Sequence, residues 1–213
     1  MSEVQFVNEG HLGGYVRSTP EYPHGDPWTW CPEVWDWAIE TFKPQTVVDV
    51  GCGEGHTVKY FRERGILQAH GVDGSPTAQR ESVIGILPHD FNLGPLTFAQ
   101  ADLIWSCEFV EHVEEKYIDN FLPLFSSADK AVLMTHAFPS QGGWHHVNCQ
   151  PTEYWITHMA RWGHRLDWEL TKVARALSSW THWGRSGLVF LPAMTSEERW
   201  RLIDRRRKEA FRK

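Results

Sequence analysis

A glycine-rich loop between an apolar strand and a helix leaves this chain few possible folds. The segment reads VVDVGCGEG from residue 47 to residue 55. A strand that turns sharply into a helix needs backbone angles that glycine adopts readily, and glycine also lets a ligand approach the backbone closely. The free N–H groups at the start of the helix favour a carboxylate or a phosphate. The segment therefore predicts an α/β sheet with a ligand at the end of this strand.

The spacing of these glycines and two nearby acidic residues narrow the choice of ligand. Gly51, Gly53 and Gly55 form a GxGxG pattern, whereas the dinucleotide fingerprint is GxGxxG, which argues against a nicotinamide-dependent oxidoreductase. Asp49 suits a ligand that carries an ammonium beside its carboxylate, as the methionine part of S-adenosylmethionine does. Asp73 ends the second predicted strand, 22 residues after Gly51, where a carboxylate can accept both ribose hydroxyls. We therefore expect the loop to hold the methionine part of this cofactor and Asp73 to hold its ribose.

Strand and helix signals alternate along the chain after residue 45. Strands are predicted over 46–50, 68–72, 84–87, 102–107, 130–136, 166–170 and 187–191, and helices over 33–42, 57–64, 76–82, 114–125, 152–161 and 196–212. Alternation of this kind implies a doubly wound, mostly parallel α/β sheet. We treat residues 1–213 as one domain, with an aromatic-rich N-terminal arm and helix (1–45), a sheet core (46–191) and a C-terminal helix (195–213).

The composition limits where the chain acts and what it binds. The net charge of −6 argues against attraction of the whole surface to nucleic acid or to an anionic membrane. No apolar run approaches the roughly 20 residues that span a bilayer, and the first residues lack the basic and apolar regions of a signal peptide. We therefore expect a cytoplasmic protein without a membrane partner, and the net charge argues against a nucleic-acid partner. The four cysteines are isolated and predict free thiols, and nothing in the sequence indicates an oligomeric state.

A second group of candidate residues follows the fourth predicted strand. In the stretch CEFVEH, a helical turn would bring Glu108, Glu111 and His112 to one face. Two carboxylates and an imidazole can hold Mg²⁺, Mn²⁺ or Fe²⁺. His145 and His146 follow the fifth strand and could reach the same place, His146 as a further ligand or either histidine as general base on an acceptor hydroxyl. Whether a metal binds here or the acidic residues only brace the loop stays open.

These segments carry a resemblance to a known family. From about residue 46 to residue 191 the chain resembles class I S-adenosylmethionine-dependent methyltransferases, most closely small-molecule O-methyltransferases of the UbiG-like kind. VVDVGCGEGH is similar to their first motif, GVDGSP to their ribose motif, and DLIWSCEFVEHV to their fourth strand and the turn after it. The resemblance implies a Rossmann-like sheet of seven strands whose last strand is antiparallel.

The resemblance also implies roles for single residues. The ribose motif adds Gly74 to Asp73, and the segment HDF is similar to the family's adenine-contacting segment, with Asp90 near the exocyclic amine and Phe91 near the ring. Glu108 would contact the cofactor in a metal-free member, whereas some members with an E-x-x-E-H pattern use a divalent metal. The expected site residues are Asp49, Gly51, Gly53, Gly55, Asp73, Gly74, Asp90, Phe91 and Glu108 for the cofactor, Glu111, His112, His145 and His146 for catalysis, and Glu108, Glu111, His112 and His146 for a metal.

Three functions remain open from the sequence. The function we expect is O-methylation of a small-molecule acceptor, with Tyr15, Trp28 and Trp30 on an arm that closes as a lid. The second is metal-dependent 2′-O-methylation of RNA. Eight basic and four acidic side chains in residues 196–213 favour it, but a solvated helix face explains them as well, and the net charge opposes it. The third is a non-catalytic partner protein that binds S-adenosylmethionine.

Overall fold

The computed structural model describes residues 4–96 and 100–210, and nine β-strands lie in this part of the chain. In chain order they are β1 (Phe6–Asn8), β2 (Gly14–Val16), β3 (Thr46–Val50), β4 (Gln68–Asp73), β5 (Leu87–Pro88), β6 (Ala101–Ser106), β7 (Ala128–Met134), β8 (His164–Leu166) and β9 (Leu188–Pro192). β1 and β2 form a hairpin, and the other seven form one sheet in the order β5-β4-β3-β6-β7-β9-β8. Within that sheet β9 runs antiparallel to β7 and β8, which confirms the predicted seven-stranded, mostly parallel sheet with an antiparallel last strand.

Eight α-helices of the described residues cover both faces of this sheet. They are α1 (Pro32–Phe42), α2 (His56–Glu63), α3 (Pro76–Glu81), α4 (Ile118–Ser126), α5 (Thr152–Arg161), α6 (Trp168–Leu177), α7 (His182–Ser186) and α8 (Ser196–Ala210). Adjacent strand residues alternate between the faces, so that Val47 shares a buried cluster with α1 and α2, and Val48 shares one with α4 and α5. Covering both faces explains the nearly continuous apolar runs of the central strands. None of these helices combines the length and the apolar character needed to cross a membrane.

The predicted strand over 166–170 is wrong in most of its length. β8 ends at Leu166, and Asp167 caps α6 by accepting the backbone N–H of Leu170 at 3.1 Å. An acidic side chain directly before a helical apolar pattern marks a helix start. The sequence predicts neither α6 nor α7. These two helices lie between β8 and β9, and Ser186 at the end of α7 accepts the backbone N–H of His136, just beyond β7. The insertion therefore reaches the carboxyl edge of the sheet.

Three other predicted segments differ in extent. Of the predicted strand over 84–87 only Leu87 is confirmed, because β5 consists of Leu87 and Pro88. The helix over 114–125 begins with a 3₁₀ turn at Glu115–Tyr117 and continues as α4. The N-terminal arm, predicted as irregular, contains the β1–β2 hairpin with a 3₁₀ turn at Gly10–Leu12 between its strands.

Some basic side chains of the C-terminal helix α8 pack against the rest of the fold. Arg199 is buried, and its guanidinium donates to the carbonyl of Ser126 at 3.0 Å and pairs with Asp129. The guanidinium of Arg206 lies 4.5 Å from the ring centre of Trp162. Arg212 and Lys213, the last two basic residues of the C-terminal segment 196–213, lie outside the described residues.

Candidate functional site

A cavity of about 420 Å³ lies at the carboxyl edge of the central strands, with the N-terminal arm as one wall. Its other walls come from the glycine loop after β3, the end of β4, the segment after β5, the segments after β6 and β7, and α7. Cavities of this size are typical of cofactor and small-molecule sites. Gly55 is the predicted cofactor residue that does not line it; those that do are Asp49, Gly51, Gly53, Asp73, Gly74, Asp90, Phe91 and Glu108.

Two glycines of the glycine loop have backbone angles that favour glycine, and they differ in the space around a side chain that would replace them. Gly51 has φ +78°, and a Cβ there would lie 2.7 Å from the Cβ of Phe109. Gly53 has φ +51°, and a Cβ there would find no atom nearer than Tyr15 of the arm at 3.8 Å. Both backbone conformations favour glycine. Gly53 therefore leaves an open backbone face between the loop and the arm.

Asp73 joins the glycine loop to the end of β4. Its Oδ2 accepts the backbone N–H of Gly53 at 2.8 Å, and its Oδ1 accepts the backbone N–H of Ser75 at 2.8 Å. Burial raises the pKa of Asp73, although both backbone donors act in the opposite direction. A carboxylate offers about four acceptor positions. Asp73 can therefore hold the loop and still accept hydroxyl groups of a ligand.

Asp49 lies beneath the loop, inside the sheet. It is 3% exposed, and burial together with the nearby charge of Asp73 raises its pKa to about 8. A cation that enters the cavity beside it would stabilise the ionised form. The side chain is therefore suited to the ammonium group expected from the sequence.

Asp90 and Phe91 lie at the other end of the cavity. Asp90 Oδ1 accepts the backbone and side-chain N–H groups of Asn92, both at 2.8 Å, and its Oδ2 lies 3.2 Å from Nε2 of His11 on the arm. Phe91 is 4% exposed, with its ring centre 5.5 Å from that of Phe109. Asp90 thus already contacts the arm, and Phe91 belongs largely to the core.

The arm is held over the cavity by polar contacts with α3 and the segment before it. Arg17 donates two hydrogen bonds to Glu81, at 2.8 and 2.7 Å, and the Tyr15 hydroxyl donates to the same carboxylate at 2.9 Å. The carboxylate of Glu9 accepts from the Ser75 hydroxyl at 2.8 Å. The arm therefore rests on the same strand end that carries Asp73.

Some tryptophans of the arm and α1 pack in the core, and others line the cavity or are exposed. Trp35 is fully buried in the core, and Trp28 is 53% exposed. Trp30 lines the cavity, and its ring stacks on His24 with 3.7 Å between ring centres. Packing therefore accounts for part of this aromatic cluster, and the cavity wall accounts for another part.

The acidic and histidine residues after β6 form a smaller group than the sequence predicts. One ligand atom from each of Glu111, His112 and His146 lies within 4.8 Å of the others. Glu108 stands outside this group, because it has φ +53° and precedes a short 3₁₀ turn at Val110–His112, so that Glu108, Glu111 and His112 share no helix face. His112 and His146 line the cavity, whereas Glu111 and His145 do not.

Four atoms of this group lack a hydrogen-bond partner in the described part of the chain. They are both carboxylate oxygens of Glu111 and the Nδ1 atoms of His112 and His146. Burial and the neighbouring Glu108 raise the pKa of Glu111 well above its usual range. Burial and the nearby His146 lower the pKa of His112 to about 4. Burial therefore disfavours the charged forms of Glu111 and His112, and a metal ion at this group would have to overcome that preference.

Sequence reasoning missed several residues that line the cavity, among them one on the arm and two on α7. These three are Asp26 on the arm and His182 and Arg185 on α7. His182 lies 3.6 Å from the carboxylate of Asp26 and 3.6 Å from that of Glu108. No motif contains these residues, because Asp26 lies far from His182 and Arg185 in the chain. These residues could have been found only by predicting that α7 is a helix at the carboxyl edge of the sheet.

Comparison with known proteins shows similarity to methyltransferases. Residues 29–185 match the model of a family described as methyltransferase domain. A rice protein (Oryza sativa subsp. japonica) named probable tocopherol O-methyltransferase, chloroplastic, is 29% identical over 124 residues, which are 52% of this chain and 32% of that protein. The chain therefore spans about a third of the length of this curated relative.

Solved structures share the fold. The O-methyltransferase from a trans-AT polyketide synthase multienzyme of Brevibacillus brevis, in complex with S-adenosyl-L-homocysteine, has a TM-score of 0.55 at 16% identity and covers 79% of this chain and 73% of its own. The plantazolicin methyltransferase BpumL, in complex with S-adenosylhomocysteine (SAH), has a TM-score of 0.53 at 13% identity and covers 77% of this chain and 83% of its own. At these identities the similarity concerns the fold alone.

Proposed function

Because the chain belongs to the class I family of S-adenosylmethionine-dependent methyltransferases, we propose that it transfers the methyl group of this cofactor to a hydroxyl group of a small molecule. The observation that carries the proposal is the cavity in which the open face of Gly53 meets Asp73 and Asp49 beneath the arm. The family match confirms the predicted membership, while the UbiG-like subtype stays a prediction.

The residues of the cavity fit the parts of the cofactor. The glycine loop and Asp49 would hold the methionine part, because the loop offers open backbone and Asp49 offers a carboxylate to the ammonium. Asp73 would hold the ribose with its remaining acceptor positions. Asp90 would receive the adenine amine, and Phe91 would contact the ring at its edge.

The chemistry left to the chain is positioning and removal of one proton. S-adenosylmethionine supplies a methyl group already activated by its sulfonium, so catalysis depends on placing the acceptor in line and deprotonating it. His146 is our candidate for the proton acceptor, because its ring lines the cavity and its Nδ1 has no partner in the described residues. His112 lies beside it, with 5.0 Å between ring centres. His145 does not line the cavity.

A small-molecule hydroxyl as the acceptor has two supports. The cavity is partly roofed by the arm, which suits a compact acceptor better than a polymer. The rice relative and the Brevibacillus brevis protein are both named O-methyltransferases.

The test is transfer of a labelled methyl group from S-adenosylmethionine to a panel of phenols and carboxylic acids, with a short RNA in parallel. We expect labelled small molecules, and His146→Ala should lower turnover by roughly 10²–10⁴ without changing cofactor affinity. His158→Ala serves as the control, because His158 belongs to α5 and does not line the cavity. Label on RNA alone, or no binding of S-adenosylmethionine, would refute the proposal.

A metal-dependent version of the same transfer is the second candidate. The observation in its favour is the group of Glu111, His112 and His146, with one carboxylate and two imidazoles in reach of one another and four atoms without partners among the described residues. These donor types suit Mn²⁺ or Fe²⁺, which would polarise an acceptor oxygen when bound.

Titration with Mn²⁺ followed by electron paramagnetic resonance tests the metal candidate without any acceptor. Wild-type protein should bind about one equivalent, and Glu111→Gln should lose it while SAH affinity remains. Equal Mn²⁺ spectra with and without protein would exclude the metal and leave the metal-free transfer.

A further inference from the structure

His182, at the first position of α7, connects three parts of the chain at the cavity. Its Nε2 lies 3.6 Å from Oδ2 of Asp26 on the arm, and its Nδ1 lies 3.6 Å from Oε2 of Glu108 after β6. Its backbone N–H donates to the carbonyl of Trp28 at 2.9 Å. The arm, the loop after β6 and α7 therefore meet at this one imidazole.

The surroundings of His182 favour a charged ring. Burial lowers the pKa of the imidazole and Arg185 acts in the same direction, but Asp26 and Glu108 outweigh both and the pKa is raised. The two carboxylates come from segments that lie far apart in the chain. A positive ring between them offsets their mutual repulsion and attracts both.

The two carboxylates differ in how firmly they are held. Glu108 accepts from the Thr135 hydroxyl at 3.0 Å, and its own backbone N–H donates to that hydroxyl oxygen at 2.7 Å. Its φ of +53° is unusual for a residue with a side chain. Glu108 is therefore fixed to the sheet edge, whereas the Asp26 carboxylate is held within the arm, where it accepts the backbone N–H of Trp28 at 2.9 Å.

Several polar contacts of the arm lie on the β4 side of the cavity. Arg17 and Tyr15 bind Glu81 on α3, and Glu9 binds Ser75 just before α3. These contacts hold the arm near β4. The contact with His182 is placed to hold it near β6 and β7, where the acceptor would enter.

We propose that His182 is a positioning residue, whose imidazole joins Asp26 to Glu108 and thereby closes the arm over the cofactor cavity. This inference rests on the proposed function, in that the cavity holds S-adenosylmethionine or its product. His182 acts through the arm and through Glu108, and its role requires no contact with the methyl group.

The experiment is a double-mutant cycle on the full chain, with SAH affinity measured by calorimetry. His182→Asn and Asp26→Asn should each weaken SAH binding roughly fivefold, as expected for a partly buried ion pair. The double variant should lose no more than either single variant. His182→Arg keeps the positive charge and should restore most of the affinity, and His158→Asn serves as the matched histidine control.

Hydrogen exchange without cofactor tests the contact separately from the proposed function. The backbone amides of residues 14–30 should exchange faster in His182→Asn than in wild type or His158→Asn. Wild-type SAH affinity in His182→Asn, additive losses in the double variant, or an Arg variant as weak as the Asn variant would each overturn the inference. Failure of wild type to bind SAH would instead refute the proposed function, and unchanged exchange of the arm would overturn the inference on its own.

Discussion

We expect Asp73 to hold both the glycine loop and the ligand. It accepts two backbone N–H groups at 2.8 Å, from Gly53 and Ser75, and is expected to accept the ribose hydroxyls as well. Hydrogen bonds to a charged group contribute roughly 1.5–3 kcal/mol. Asp73→Ala should therefore weaken SAH binding at least about tenfold, measured by calorimetry.

Asp102 provides a matched control for this variant. It also accepts two backbone N–H groups, from Gln45 at 2.5 Å and Thr46 at 3.3 Å, but it stands near the start of β6, at the edge of the sheet opposite the cavity. Asp102→Ala should lower thermal stability and leave SAH affinity unchanged. Equal SAH affinity in Asp73→Ala and wild type would remove Asp73 from the site.

The ionisation of Asp49 predicts a pH dependence of opposite sign for stability and for binding. Its pKa rises from 3.8 to about 8 in the folded chain. The folded state therefore takes up a proton, and this contribution to stability is complete below pH 3.8 and is lost as the pH rises through about 8. An ammonium bound beside Asp49 favours the carboxylate, so SAH affinity should increase between about pH 6.5 and about pH 8.5, by up to roughly tenfold per pH unit.

The variant Asp49→Asn isolates this group from Asp73, whose pKa is also raised by burial. In Asp49→Asn the SAH affinity should vary much less over the same pH range, and the unliganded chain should lose less stability as the pH rises. If the wild-type affinity were independent of pH, the ammonium would lie elsewhere.

At the scale of elements, a comparison of two glycines separates the effect of backbone strain on stability from the effect of a side chain on ligand binding. Gly53 and Gly65 both have positive φ, at +51° and +89°. A methyl group would clash at neither position, because the atom nearest to it would lie 3.8 Å away at Gly53 and beyond 4 Å at Gly65. Alanine at either position should therefore cost a similar amount of stability, about 1–2 kcal/mol, from the left-handed backbone.

The two alanine variants should differ in ligand binding. Gly53 lines the cavity and Gly65 does not, so Gly53→Ala should weaken SAH binding markedly while Gly65→Ala leaves it unchanged. Calorimetry gives the affinity, and thermal unfolding checks that the losses of stability match. Equal affinities would show that the ligand does not approach the loop at Gly53.

The segment between β8 and β9 is the element that sequence reasoning treated least well. β8 has three residues, too few for a clear alternating pattern, and Asp167 directly after it begins α6. α7 has five residues and contains a glycine. Such short elements are decided by packing, here by the fully buried Trp183, whose ring stacks on Trp105 of β6 with 4.6 Å between ring centres.

For the whole molecule, the cofactor should stabilise the fold as a unit, because its cavity is built from the arm, the sheet edge and α7 together. A ligand at about 100 times its Kd adds about 2.7 kcal/mol, which for a chain of this size raises Tm by roughly 5–10 °C. SAH should produce this shift in a thermal-shift assay, and NAD should not, since the loop spacing is that of GxGxG. A shift with NAD alone would contradict the assigned cofactor.

Local sequence patterns were sufficient to predict most strands of the sheet and the glycine loop. The strand Thr46–Val50 and the helix Thr152–Arg161 begin and end at the predicted residues, and the seven strands with an antiparallel last strand agree with the family resemblance. The bounds of the strand and the helix depend on the periodicity of apolar residues, which neighbouring residues in the chain determine, whereas the direction of the last strand came from the family resemblance.

Tertiary structure alone decided how the acidic and histidine side chains are arranged around the cavity. Glu108 contacts Thr135 and His182, whereas Glu111, which neighbours Glu108, is buried in a group with His112 and His146. Asp26 meets His182 only because the arm crosses the sheet edge and α7 packs against it. Contacts between distant segments depend on how helices and strands pack against one another, and no local pattern of residues carries that information.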